Sequence, residues 1–155
     1  MSFTQITFAL SVGIAVISST SYADELPYHR DLRSWCGANI ERSSEDPRYV
    51  RAECKGGGIV FAVIEEQGRV VAIQIQIDTR SAVHHQKAAI AHLNAIADIG
   101  FLPDLLAQKL DVTALGEVQD VNGKGWVGRL ERNSPQMATV SVAQGSSPVH
   151  PALDW

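Results

Sequence analysis

The sequence lacks the features that mark several classes of protein. Its longest uncharged apolar stretch is about ten residues, too short to span a bilayer. It has no basic excess, because 13 Lys and Arg stand against 17 Asp and Glu, and this balance argues against a polybasic nucleic-acid binder. With 45% apolar and 19% charged residues, the composition is not that of a disordered or collagen-like chain. We therefore expect one compact globular domain.

Motifs of the common hydrolases and metalloenzymes are also missing. The sequence contains no GxSxG, SxxK or HExxH motif. The run Gly56-Gly57-Gly58 leads into a strand, so it lacks the helix amides that hold a phosphate, and we interpret it as a turn or bulge. Glu65 and Glu66 lie at the predicted hairpin tip and are interpreted as a solvated turn. Neighbours on a strand point to opposite faces, so the two acids do not form a catalytic pair. No cofactor is predicted.

The first 23 residues have the pattern of an export signal. The stretch Phe8 to Ile17 has the length of a signal-peptide core, and Ser21-Tyr22-Ala23 predicts cleavage after Ala23. No Lys or Arg precedes the core, and the alternatives are a buried strand or helix, or a retained anchor. Cleavage predicts a periplasmic or secreted protein with a single domain over 24–145, an irregular tail over 146–155 and no stable membrane span.

Cys36 and Cys54 are the only two cysteines. In an exported chain this even number predicts a disulfide, and only one pairing exists. A redox couple would show CxxC spacing, and a metal site would need two further ligands that the neighbouring residues do not supply. We therefore predict a structural disulfide and no metal site.

A short helix and a strand contain the two cysteines. Pro27 suits a first helical turn, apolar residues follow at helical spacing as far as Cys36, and Gly37 ends the helix. From Arg48 to Cys54 the apolar residues alternate, which predicts a strand. Both cysteines are therefore expected to face the core.

The clearest pattern is a hairpin from Ile59 to Ile77. Its second arm alternates large apolar residues with Ala and Gln, which assigns the isoleucines to one buried face. A three-residue loop, Glu66-Gln67-Gly68, would place Ile59 opposite Ile75. A two-residue loop is the alternative, and we prefer the longer loop because it buries the larger apolar set on one face.

The second face of this hairpin is unusually apolar. Another part of the chain or a partner is expected to cover it. Trp126 is either a core residue or an anchor on the sheet surface. The predicted binding surface consists of Val60, Ala62, Ile64, Val70, Ala72 and Trp126.

Helices are predicted in the middle of the chain. Ser81 can cap a helix from Ala82 to Ile99, and Gly100 ends it. Pro103 then stands where a second helix begins, and that helix extends to Leu110.

Two strands follow, from Trp126 to Glu131 and from Met137 to Ala143. The element order α-β-β-β-α-α-β-β predicts an α+β fold. We expect an antiparallel sheet of about five strands, with helices packed on one face and the Cys36 to Cys54 disulfide.

Three histidines on the main helix are the candidates for chemistry. His85 and His92 lie seven residues apart, roughly 10 Å of helical rise, which is too far for one metal ion without help from elsewhere. We interpret them, with His84, as structural or surface residues. Metal binding and general acid–base catalysis are the alternatives.

The combined features favour a small exported binding protein that is not an enzyme. We expect it to bind another macromolecule, namely a protein partner in the periplasm or envelope. An inhibitor or immunity protein is the specific version of this hypothesis. One alternative is a small periplasmic hydrolase that uses a histidine of the main helix. The other is a structural component of an envelope complex, which would associate through an exposed sheet edge.

Overall fold

A computed structural model describes residues 26–37 and 40–154, and the predicted signal sequence lies outside them. The fold is α+β, with one antiparallel sheet of seven strands. The strands are β1 Glu41–Ser43, β2 Tyr49–Gly56, β3 Ile59–Glu66, β4 Arg69–Asp78, β5 Val118–Gly123, β6 Trp126–Ser134 and β7 Met137–Gln144. The helices are α1 Pro27–Cys36, α2 Val83–Ala91, α3 Leu93–Ile96, α4 Leu102–Val112 and the short 3-10 helix Pro151–Asp154.

The sheet is built from two meanders, in the order β1-β2-β3-β4-β7-β6-β5. The predicted fold class is confirmed, but the sheet has two strands more than the expected five. Both missed strands, β1 and β5, lie at sheet edges. All three residues of β1 are exposed and only Val121 of β5 is buried, so neither strand shows a buried alternating stripe that a sequence pattern could reveal.

The main core lies between the inner face of the sheet and the helices. Phe61 of β3 and Ile75 of β4 lie opposite each other at its centre. Helices α1, α2 and α4 contribute Leu32, Ile90 and Leu106 to this core, and all three are fully buried. Burial of this apolar surface is the main favourable contribution to folding.

The turn of the central hairpin differs from the preferred prediction. Gln67 and Gly68 form a two-residue turn, and their φ angles of 50° and 74° are the positive values that a type I′ turn requires. Ile59 therefore pairs with Ile77 and not with Ile75. The predicted register is wrong by two residues. Because side chains alternate with period two, that shift leaves the same residues of the two arms on the inner face.

A β-bulge next to this turn changes which residues face inward. Ile64 pairs with Ala72 whereas Glu65 pairs with Val70, so Val71 is the extra residue. As a result Val70 packs against the main core, and Val71 packs against a second cluster on the outer face. The prediction that Val70 lies on the second face is therefore wrong, because an unpaired residue inverts the alternation beyond it.

The main helix is divided and starts differently from the prediction. It is interrupted at His92, and Ala97 is already extended. Ala82 is the N-cap residue and makes no side-chain cap. The hydroxyl of Ser81 donates instead to the carbonyl oxygen of Asp78 at 2.6 Å, so the predicted cap residue closes the turn after β4.

The disulfide between Cys36 and Cys54 is confirmed, and it joins α1 to β2 with 5.5 Å between the Cα atoms. The close approach of the two elements depends on Gly56. A Cβ atom at that position would lie 1.9 Å from the carbonyl oxygen of Trp35, so no side chain fits. The two glycines that follow have φ of 58° and 79° and form the turn between β2 and β3.

The end of the chain covers part of the outer sheet face. The region predicted to be irregular contains the 3-10 helix Pro151–Asp154, whose Ala152 and Leu153 are buried. We call residues 146–154 the C-terminal strap. The buried sheet residues that cluster with it form the strap patch: Ala62, Ile64, Ala72 and Ala143.

Candidate functional site

The residues predicted as a binding surface do not share one exposed surface. Ala62, Ile64 and Ala72 are buried beneath the C-terminal strap. Val60 lies on the same outer face, half-buried and opposite Gln76. The second face of the hairpin was expected to be covered either by another part of the chain or by a partner. The C-terminal strap of the chain itself covers part of it.

The other two predicted surface residues contribute to the inner core. Val70 faces inward because of the bulge, and it packs against the main core. Trp126 is buried in that core, on the same side of β6 as Leu130. Trp126 is therefore a core residue, which was one of its two predicted alternatives.

The three histidines of the main helix have different environments. His84 is exposed, and Nε2 of His85 lies 3.2 Å from the carbonyl oxygen of Gly57. The ring of His92 packs against Phe61, with 5.8 Å between centroids. Burial lowers the pKa of His92, which favours its neutral form. Among the residues that the structure describes, none of the three is hydrogen-bonded to a carboxylate.

An open groove of about 670 Å³ lies between α1 and the α2–α3 segment. The Trp35 ring forms one wall, 5.0 Å from the ring of His85 and 5.7 Å from that of His92, measured between centroids. Small residues of α2 and α3 line the remainder. The groove has space for a ligand, and none of the described residues that line it is acidic.

Within 26–37 and 40–154, an acid–histidine contact is found elsewhere, at the tip of the central hairpin. Glu65 is only 4% exposed, and its Oε1 lies 3.0 Å from Nε2 of His29 and accepts a hydrogen bond from the Tyr28 hydroxyl. Its Oε2 accepts from Arg42 at 3.1 Å. A carboxylate only accepts, so Nε2 of His29 carries the proton. We call these four residues the buried quartet.

The quartet joins three elements and leaves no carboxylate oxygen without a donor. Tyr28 and His29 belong to α1, Arg42 to β1 and Glu65 to β3. Burial, together with the hydrogen bond and the charge of Glu65, raises the pKa of Tyr28 far above its usual value of 10. This arrangement anchors α1 to the hairpin tip and presents no free base to a substrate.

Sequence reasoning missed the quartet and interpreted Glu65 as a solvated turn residue. A signal was present, because Glu65 continues the alternation of Phe61 and Val63 on the inner face. An acid on a buried face requires partners. Those partners lie 23 to 37 residues away in the chain, so the pattern alone could not identify them.

A different surface stands out by its exposure. Phe101, the N-cap residue of α4, is 82% exposed, and Leu105 and Val112 are exposed along the same helix. Spacings of four and seven residues place the three side chains within one narrow sector of the helix. The adjoining side of α4 packs Leu102 and Leu106 into the core. We call Phe101, Leu105 and Val112 the α4 stripe.

Acidic residues border the stripe on one side. Asp104 and Asp111 are exposed on α4, and Asp111 forms an ion pair with Lys87 of α2 at 2.6 Å. The sequence pattern did not separate Leu105 from the buried leucines of this helix. A helical wheel that includes Phe101 gives one wide apolar arc from the α4 stripe to Leu110, interrupted only by Lys109, so the pattern does not divide the exposed from the buried residues.

Comparison with protein-family models, with curated proteins and with solved structures finds no match to this chain. The described residues contain no group of three or more His, Cys, Asp or Glu side chains placed to hold a metal ion. None of the described helices is long and apolar enough to cross a membrane.

Proposed function

We propose that this chain is a small exported binding protein that engages another macromolecule through the α4 stripe. The observation that carries the proposal is the 82% exposure of Phe101 in line with Leu105 and Val112. A surface helix normally keeps polar residues on its outer side. An apolar row on that side is typical of a helix that docks into a partner.

The stripe suggests the chemistry of the partner. From Phe101 to Val112 it covers roughly 16 Å at the helical rise of about 1.5 Å per residue. An apolar groove of that length on a protein would accept the three side chains as anchors. Basic residues on one rim of the groove would face Asp104, which has no ion pair among the described residues.

Binding is supported over catalysis by the state of the acid–base groups. The carboxylate that meets a histidine, Glu65, is buried and fully hydrogen-bonded. His85 is bonded to a backbone oxygen, and His92 is packed among rings. A disulfide suits the oxidising compartment that the proposed export implies. Inhibition of, or immunity to, a secreted enzyme is the specific role that we favour, because it suits the small size and the predicted export.

Photo-cross-linking in the cells that make the protein tests this surface. A photoreactive benzoylphenylalanine at position 101 should give one adduct, and the mass of that adduct should differ from the mass of two copies of this chain. The same probe at Val83, which is 56% exposed on α2 and outside the stripe, is the matched control and should give none. Adding Val112→Ser should lower the yield at position 101 by at least about fivefold, the effect of losing about 1 kcal/mol of binding free energy.

Three results would contradict the proposal. They are no adduct at position 101, an equal yield from position 83, or an adduct that consists of two copies of this chain. The last result would favour the assembly-component alternative instead.

A further inference from the structure

The C-terminal strap lies on the strap patch with few directional contacts. Among the described residues, the hydrogen bonds of 146–154 all run within the strap itself. The nearest bond to the sheet is donated by the Gly145 amide, just before the strap, to Gly125. Side-chain packing of Ala152 and Leu153, with the ring of His150 against Tyr49 at 4.8 Å between centroids, joins the strap to the sheet.

His150 organises the turn of the strap. Its Nδ1 accepts a hydrogen bond from the Ala152 amide at 3.2 Å, and its carbonyl oxygen accepts one from the Leu153 amide at 2.9 Å. These two bonds hold Ala152 and Leu153 in the conformation that buries them. An Nδ1 that accepts a hydrogen bond has no proton, so this geometry requires the neutral imidazole.

We propose that the strap is a proton-sensitive lid, closed while His150 is neutral and released from the outer sheet face when His150 binds a second proton. The proton comes from water and adds to Nδ1, which changes that atom from an acceptor into a donor. The donated bond from Ala152 is then lost, and two N–H groups oppose each other where one bond existed. Release of Ala152 and Leu153 uncovers the strap patch.

The groups that face His150 come from each element packed on the strap. Strand β2 contributes Tyr49, with the Arg48 guanidinium over its ring at 5.1 Å, and β3 contributes Glu66. The strap itself carries Asp154, and β4 contributes Val71 and Ala72, which are uncharged.

The surroundings of His150 determine whether the strap opens at low or at high pH. Burial lowers the pKa of His150, and the charge of Glu66 opposes it. The closed strap therefore binds the proton more weakly than the open strap, whose histidine has its ordinary pKa near 6.5. Closure is therefore most favourable at and above neutral pH and weakens as the pH falls through 6.5, by at most about tenfold per pH unit.

Amide hydrogen exchange of the full chain, measured by NMR, tests the lid. The protection factor of the Leu153 amide, taken against its intrinsic rate at each pH, should fall by up to about 16-fold between pH 6.5 and 5.0, because about half of the open-state histidine is already protonated at pH 6.5. The core amide of Ile73 should keep its protection over the same range. His150→Asn keeps an acceptor near the position of Nδ1 without a titrating group, so its Leu153 protection should vary less than about threefold.

His84→Asn is the matched control, because His84 is an exposed histidine away from the strap, and it should behave like the wild type. Leu153→Ala should lower protection in the strap by the same factor at both pH values, because it weakens packing but not proton binding. The proposal is overturned if protection of Leu153 in the wild type does not change with pH. It is also overturned if His150→Asn shows the same loss as the wild type.

Discussion

The two faces of the sheet are covered in different ways. On the inner face, helices α1 to α4 bury an apolar core, a disulfide joins α1 to β2, and the buried quartet anchors α1 to the hairpin tip. On the outer face, a strap with a four-residue helix covers one end through side-chain packing. The inner cover is part of the cooperative fold, whereas the outer cover can open without unfolding the rest.

The two apolar surfaces that bear on function also differ in whether the chain covers them. The strap patch is apolar and covered by the chain, so a pattern of apolar residues there did not indicate a free surface. The α4 stripe is apolar and open. Exposure and not hydrophobicity therefore distinguishes a candidate contact surface from a core face.

The largest difference between the two covers should appear when the same substitution is made in each. Leu106 of α4 is 0% exposed and Leu153 of the strap is 4% exposed. We expect Leu106→Ala to lower the free energy of unfolding by about 2–5 kcal/mol, because a cavity remains in a closed core. Leu153→Ala should lower it by about 1 kcal/mol, because the strap can detach and so limits the loss.

Urea unfolding followed by tryptophan fluorescence measures both changes. Equal losses for the two variants would show that the strap is as firmly attached as the helices.

The disulfide should be the next largest contribution to the inner cover. Replacing Cys36 and Cys54 together with Ser should lower the free energy of unfolding by roughly 3 kcal/mol, according to the chain-entropy model for a loop of this length. Unfolding of the wild type in reductant should give a matching loss. A change below about 1 kcal/mol would mean that the noncovalent contacts of α1 already provide most of the restraint.

The buried quartet should contribute less than the disulfide to the free energy of unfolding at neutral pH. Its contribution should also make stability depend on pH above pH 10. Tyr28→Phe removes a hydrogen bond to a charged group and should lower the free energy of unfolding by about 1.5–3 kcal/mol.

The folded-state pKa of Tyr28 is raised above its unfolded value of 10, so the folded state keeps a proton that the unfolded state loses. Stability of the wild type should therefore fall above pH 10, by up to about 1.4 kcal/mol per pH unit. Denaturation at pH 9 and pH 11 should show this decline in the wild type, and a smaller one in Tyr28→Phe. Identical declines would assign the alkaline loss to other groups.

The smallest effect on stability should come from the α4 stripe. Phe101→Ser and Val112→Ser should each change the free energy of unfolding by no more than about 0.5 kcal/mol, because both side chains are largely exposed. Val83→Ser on α2 should cause an equally small change in the free energy of unfolding in the same urea titration. A loss above 1 kcal/mol at Phe101 would show that this ring packs within the fold and is not free to contact a partner.

Several features could be predicted from local pattern because their cause is local. The alternation along β3 and β4 identified the inner residues, and Pro27 and Gly37 marked the bounds of α1. The disulfide followed from the number of cysteines and from the predicted export. The register at Ile59 could not be predicted, because a shift of two residues keeps the same side chains on each face and so preserves the alternation that was used to choose it.

The candidate sites depended on long-range contacts to a greater degree. Glu65 gains its partners from α1 and β1, and no spacing rule connects Arg42 with Glu65. The patch at Ile64 is closed by residues almost ninety positions later in the chain, including Leu153. The α4 stripe was missed because apolar residues on both sides of a helix resemble one wide core face until the packing is known.

The sequence by itself determined the fold class, the pairing of the cysteines and the side of each central strand that faces the helices. These follow from side-chain periodicity and from the chemistry of single residues, which act over a few positions of the chain. Only the tertiary structure decided which apolar surface is covered and which is open, and which acid is buried with partners. Burial depends on what the rest of the chain places over a surface, and period and composition do not contain that information.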